Sequence, residues 1–175
     1  MKVSLKHYFG IDFGTTNCAT VGCMVMDNKP EMVLYGDDEG LPMPSVVAID
    51  KNSGEVFTGR DAWEKRMELS HSCEYISSVK DILDDDDWHR VIAGKTWTPV
   101  DIACELFKAL KNMVYERTGA CMDSATVAIP VGFSAIKRNN LRKAAKMAGI
   151  TIKSFISEPT AAFFANYNEL KSSSI

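Results

Sequence analysis

The chain has 175 residues, 46% of them hydrophobic and 25% charged, with a formal net charge of −3. That composition suits a globular protein able to bury about two-thirds of its extended-chain surface. The small negative charge argues against non-specific binding to nucleic acid or to an anionic membrane surface, and no apolar run approaches the length of a membrane span. The opening "MKVSLKHYFG" lacks the apolar centre of a secretion signal. Cys18, Cys23, Cys73, Cys104 and Cys121 show no CxxC spacing and read as scattered thiols of a reducing compartment, so a cytoplasmic location is expected.

In chain order, residues 8–13, 19–26 and 31–35 read as three short strands, broken at "GTT" and at "DNKP". Two short turns in succession favour antiparallel neighbours. "PSVVAID" (44–50) and "EVFTG" (55–59) read as another hairpin, across Asn52-Ser53-Gly54, and "RDAWEKRMELS" (60–70) has helical character. Residues 84–93 are polar and show no usable period. The run "DDDD" at 84–87 reads as a solvated loop, because four consecutive acids do not converge readily on one ion.

The pattern changes at residue 98. "TPVDIACELFKALKNMVYERTG" has Thr98 as N-cap, Pro99 at the first helical position and Gly119 as the stop. Val100, Ala103, Phe107, Leu110 and Val114 fall on one face of this helix. A strand at 125–130, a helix from Ser134 to Gly149, a strand at 151–156 and a third helix opening at "EPTAAFFANYNEL" follow; "KSSSI" (171–175) reads as a tail. Alternating helices and strands require crossovers, which imply parallel strands and an α/β fold.

Chemistry gathers first at "GIDFGTTN". Asp12 lies between apolar residues and is followed at once by Gly14-Thr15-Thr16. Glycine admits a ligand close to the backbone, the amides of a tight turn can point at an anion, and two hydroxyls add donors. Asp12 would repel phosphate but can hold magnesium or its waters. The P-loop pattern is absent, and taken alone the motif reads more readily as an ordinary hairpin turn. Three further stretches add to it: "SVKDIL" places Lys80 between Val79 and Ile82, "AIPVGF" with the helix after it carries Pro130 and Arg138, and "ISEPTAA" puts Glu158 at a strand end before a helix. Each has a plain reading as well. Lys80 can be a surface lysine with a buried stem, Glu158 can serve its helix N-terminus, Arg138 can be solvated, and Pro130 can end a strand. His7, His71 and His89 show no ligand spacing.

Taken together and in order, these stretches over residues 8–170 resemble the seventy-kilodalton heat-shock chaperones (DnaK-like). "GIDFGTTN" is similar to the family's first phosphate motif, "LPMPSVVAI" to the strand after it, and "ISSVK" to the segment with its catalytic lysine. "AIPVGF…R…AAKMAGI…SEPTAA" is similar to its connecting segment. Asn17 stands where eukaryotic members commonly have tyrosine and bacterial members often have asparagine. The resemblance implies one lobe of an actin-like ATPase. Its core would be a ribonuclease-H-like mixed five-stranded sheet with flanking helices, formed by residues 1–36 and 98–175, and residues 37–97 would form a small inserted α+β subdomain.

The resemblance implies ATP or ADP with magnesium as ligands. Gly14, Thr15, Thr16 and Asn17 would take phosphate, Asp12 and Glu158 would hold magnesium through water, and Lys80 would position the attacking water. Pro130 and Arg138 would relay nucleotide state to a peptide-binding domain. It also implies extended peptides as substrates of that absent domain, a J-domain co-chaperone and a nucleotide-exchange factor, with no nucleic acid and no membrane as partners. The second phosphate loop and the adenosine pocket would lie beyond residue 175, so the isolated chain is expected to fold without being a competent ATPase. The stretch after "SVK" is acidic here where the family is commonly basic. Other readings are an actin-like bacterial filament protein, a sugar kinase of the same superfold and a module without catalytic activity; "ISSVK", "IPVGF" with Arg138 and "SEPTAA" favour the chaperone.

Overall fold

In a computed structural model, which describes residues 7–26, 29–35, 40–68 and 70–172, strand β1 (His7–Phe13) turns Phe9, Ile11 and Phe13 into the core. Period-two alternation sends Tyr8 and Asp12 to the opposite face, where both are exposed. β1 pairs antiparallel with β2 (Asn17–Met26), and β2 pairs antiparallel with β3 (Lys29–Tyr35). On its other edge β1 pairs parallel with β10 (Ser124–Ile129), which pairs parallel with β11 (Thr151–Ser157). The sheet is therefore mixed, ordered β3-β2-β1-β10-β11, as the turn lengths and crossovers predict. A sixth strand of two residues, β4 (Met43–Pro44), also pairs with β2, one strand more than expected. It is too short to give a period. Asp27 and Asn28 of the second break, and residues 173–175 of the tail, lie outside the described residues.

Helix α3 (Pro99–Thr118) covers the inner face of the sheet, with Phe107 stacked on Phe13 at 4.9 Å between ring centroids. It starts and stops where local rules place it. Thr98 and Asp101 form a reciprocal capping box, and Gly119 ends the helix at φ 67°. Its buried face is wider than predicted. Ile102 and Leu106 are fully buried beside Ala103, Phe107, Leu110 and Val114, while Val100 is only half-buried. The reason is that α3 also meets α4 (Ala135–Met147) and the short α2 (Val79–Ile82). A bulge at Lys153 shifts the parity of β11, so that Ile152 and Phe155 both pack against the core. Helix α5 (Glu158–Ser172) runs beside the outer face and bounds an apolar cavity of ≈ 400 Å³ there, lined by Tyr8, Val21, Ile156 and Ala161.

Between β4 and α3 the chain forms a second antiparallel sheet, ordered β6 (Val56–Thr58), β5 (Val46–Asp50), β7 (Cys73–Ser77). Val47, Ile49 and Ile76 face the main core; Val46, Ala48 and Cys73 cluster with Ala62 of α1 (Gly59–Lys65). The hydrophobic core is thus continuous from one sheet to the other. The predicted hairpin across Asn52-Ser53-Gly54 is present, with Asp50 Oδ1 accepting the N–H groups of Asn52 and Ser53. The helix predicted over 60–70 ends at Lys65, because Met67 beyond it is 78% exposed and has no core to join. Starting in the segment read as polar (84–93) and running past it, β8 (Arg90–Ile92) and β9 (Lys95–Trp97) form a hairpin. Its turn is Ala93-Gly94, both residues at positive φ (49° and 76°), as the type I′ hairpin turn requires.

Candidate functional site

The carboxyl ends of the parallel strands β1, β10 and β11 lie along one edge of the main sheet, with Asp12 level with Ala128 and Ala128 level with Ile156. Ligands of open α/β sheets bind at such edges. Gly14-Thr15-Thr16 leaves β1 there, Pro130 leaves β10, and Glu158 follows β11 as the first residue of α5.

Asp12 is not a buried acid. Its neighbours Ile11 and Phe13 are buried, and the strand's alternation presents Asp12 on the opposite face. The protein around it still removes enough water to raise its carboxyl above the ordinary value of 3.8; Lys80 draws it down and Glu158 pushes it up. The three charges therefore share one local field.

Among the described residues Lys80 is the charged residue that the fold buries, at 5% exposure. Ser78 takes a left-handed conformation (φ 54°, ψ 32°) between β7 and α2, at a cost of about 1 kcal/mol for a residue with a Cβ. That corner starts α2 and brings Lys80 to the sheet edge. Lys80 Nζ lies 2.7 Å from Glu158 Oε1 and 6.0 Å from the centroid of the Phe133 ring. The Glu158 side chain keeps 40% of its surface open. A surface lysine with a buried stem does not match this burial and pairing.

The turn after β1 is tight. A Cβ on Gly14 would stand 2.1 Å from the Asn17 carbonyl oxygen, so only glycine fits. Ser45 supports the turn from below: its Oγ–H donates to the Gly14 carbonyl at 2.8 Å and its N–H donates to the Thr16 carbonyl at 2.8 Å. Cys18 Sγ sits 3.2 Å from Ser45 Oγ, and full burial pushes its thiol up to about 11. Thr15 lines two cavities. One, of ≈ 340 Å³, contains Lys80, Pro130 and Phe133; the other, of ≈ 450 Å³, contains Thr16, Asn17 and Trp63.

Pro130 and Arg138 meet through Phe133, whose N–H donates to the Pro130 carbonyl (3.1 Å) and whose carbonyl accepts from Arg138 Nε (2.9 Å). The acidic run is only partly a solvated loop. Asp84 pairs with Lys137 at 3.3 Å and accepts from Ser134 Oγ at 3.2 Å, while Asp85 Oδ1 accepts the N–H groups of Asp87 and Trp88. Asn140 Nδ2 donates to the Leu83 carbonyl at 2.7 Å, so α2 is fastened to the first turns of α4. In sequence Ser45 and Phe133 carry no site signal, and Asp84 and Lys137 read as solvated charges. "PSVV" carries strand character in sequence, and nothing local marks its serine.

Among the described residues no three His, Cys, Asp or Glu side chains converge on a metal position. Two carboxylates at one edge still suit magnesium, which keeps most of its waters and uses one or two protein oxygens. No helix among the described residues is long and apolar enough to cross a membrane. In a comparison with protein-family models, the one described as Hsp70 protein matches residues 70–168, more than half of the chain, including Lys80, Pro130, Arg138 and Glu158.

Proposed function

Because the chain belongs to the Hsp70 family, whose members are chaperones that bind ATP or ADP with magnesium and hydrolyse ATP, we propose that it supplies one half of an ATP-binding and hydrolysis cleft. The Lys80–Glu158 contact at the carboxyl ends of β1 and β11, with Asp12 in the same field, carries this reading. The amides and hydroxyls of Gly14–Asn17 take phosphate. Asp12 and Glu158 hold magnesium through its waters. Lys80 releases Glu158 when phosphate arrives and supports the attacking water and the developing charge. Phosphoryl transfer needs that electrostatic help more than covalent chemistry.

The sheet order and crossovers support a ribonuclease-H-like core within an actin-like lobe, built from residues 1–36 and 98–175 with 37–97 as an insert. The hydrogen-bonded path Pro130–Phe133–Arg138, which starts at the cavity holding Lys80, supports a relay of nucleotide state toward a peptide-binding domain elsewhere in a longer protein. Extended peptides, a J-domain co-chaperone and a nucleotide-exchange factor are the partners this reading implies, with a cytoplasmic setting. The filament and sugar-kinase readings have no comparable observation in their favour.

The test is Lys80→Ala in the full-length protein. Turnover is expected to fall roughly a hundredfold, as for other transition-state donors, with ATP affinity largely kept. Unchanged single-turnover hydrolysis in that variant would remove Lys80 from the chemistry.

A further inference from the structure

Two carbonyl groups of the turn after β1, those of Gly14 and Thr16, are held by one residue. Ser45, 2% exposed, gives its hydroxyl to Gly14 and its backbone N–H to Thr16, each at 2.8 Å. In a planar trans peptide the carbonyl of one residue and the N–H of the next point in opposite directions. Fixing the Gly14 and Thr16 carbonyls on the Ser45 side therefore fixes the N–H groups of Thr15 and Asn17 on the other side. Two amides aimed one way from a tight turn make a concavity for an anion.

We propose that Ser45 is a positioning residue for phosphate binding: its double bond to the turn aims the Thr15 and Asn17 amides at the ligand. This rests on the reading of the turn as a phosphate site. The hydroxyl has the larger part. Cys18 Sγ, the other group near the Gly14 carbonyl, lies 3.9 Å from it, and sulfur is a weak donor. Without the Ser45 hydroxyl the Gly14 carbonyl keeps only that long contact in a half-buried place, which favours rotation of the peptide toward another donor. The Thr15 N–H rotates with it.

The full chain, labelled with nitrogen-15, is titrated with magnesium pyrophosphate while the Thr15 and Asn17 amide signals are followed. Both are expected to shift in the unaltered protein. Ser45→Ala is expected to bind roughly fivefold more weakly, the size of one ordinary hydrogen bond, and to lose more of the Thr15 shift than of the Asn17 shift, because the N–H that serves Thr16 remains. Ser45→Thr, which keeps the hydroxyl, is expected to restore both. Should Ser45→Ala fail to fold, Ser45→Cys takes its place, with a weaker donor and an intermediate loss expected. Affinity and Thr15 shift unchanged in folded Ser45→Ala or Ser45→Cys, whatever the melting temperature, would overturn the proposal. No response of either amide in the unaltered chain would instead overturn the phosphate reading on which it rests.

Discussion

Lys80 and Glu158 share one contact but not one environment: the lysine side chain is 6% exposed and the glutamate side chain 40%. Removing either partner therefore has a different cost. Glu158→Ala leaves a buried ammonium without its contact partner, with only the field of Asp12 remaining, and a loss of about 2–3 kcal/mol is expected. Lys80→Met leaves a carboxylate that water already reaches and refills the apolar stem, so its effect is expected to stay within about 1 kcal/mol. Urea unfolding of the two variants compares them, and equal losses would contradict the asymmetry. Asp12 poses the opposite conflict. Folding raises its carboxyl above 3.8, so the folded state holds the proton more tightly than the unfolded state. Stability then falls as pH rises from near 3.8 through the raised value, and above that window the ionised carboxylate opposes the fold. Asp12→Asn is expected to melt no lower than the parent at neutral pH, with a flatter profile just above 3.8, while losing magnesium-dependent binding; thermal scans across a pH series read this. At this scale the sequence offered the acids and the lysine because their residue types stand out among apolar neighbours. It did not single out Ser45, whose partner Gly14 is 31 residues away. A serine before a run of valines has no local pattern that announces a tertiary bond.

The elements divide in the same way. The ends of α3 were readable because capping is local: Thr98, Pro99, Asp101 and Gly119 each act within a turn of their own position. Thr98 Oγ1 accepts the Asp101 N–H at 3.3 Å, and the Asp101 carboxylate accepts from the Thr98 N–H at 2.9 Å. Thr98→Ala is expected to cost about 1 kcal/mol and Thr98→Ser only a few tenths; chemical unfolding measures both, and a neutral Thr98→Ala would show that packing alone holds the helix start. What α3 covers was less readable, because Ile102 and Leu106 are buried by neighbours far along the chain. β7 and the β8–β9 hairpin escaped for related reasons. β7 is an edge strand whose buried residues, Cys73 and Ile76, stand three apart, so it gives no clean alternation, and 84–93 reads as polar although Ile92, like Trp97 beyond it, is anchored in the core.

At the scale of the molecule, two sheets share one core. Val47, Ile49, Ile76 and Trp97 belong to the same hydrophobic cluster as Phe13, Phe107 and Val127. Residues 37–97, proposed above as an insert, are therefore not expected to unfold as a separate unit. The tryptophans report this directly, since Trp63, Trp88 and Trp97 all fall in that segment. Far-ultraviolet circular dichroism is dominated by the helices outside it, α3, α4 and α5. The fluorescence and dichroism transitions in urea are expected to coincide, as for a single cooperative domain. A fluorescence midpoint well below the dichroism midpoint would show that the shared core does not couple the segments. The alternation of helices and strands made the α/β class readable from sequence. The sharing of the core was not, because each segment's apolar pattern says that a face is covered and not by what.

The parallel pairing of β1 with β10 also sets an order of events during synthesis. One edge of β1 meets β2 within a few residues, with Ile11 opposite Thr20; its other edge waits for Val127, more than a hundred residues later. At ribosomal rates of about 5–20 residues per second, that wait is on the order of ten seconds. Through that time the first hairpin presents an unpaired strand edge, the kind of surface that pairs with other chains if nothing shields it. Asp12 lies on that edge, opposite Ala128, so it is made more than a hundred residues before the strand that flanks it. A nascent chain must guard this edge until β10 arrives and Glu158 emerges to meet Lys80.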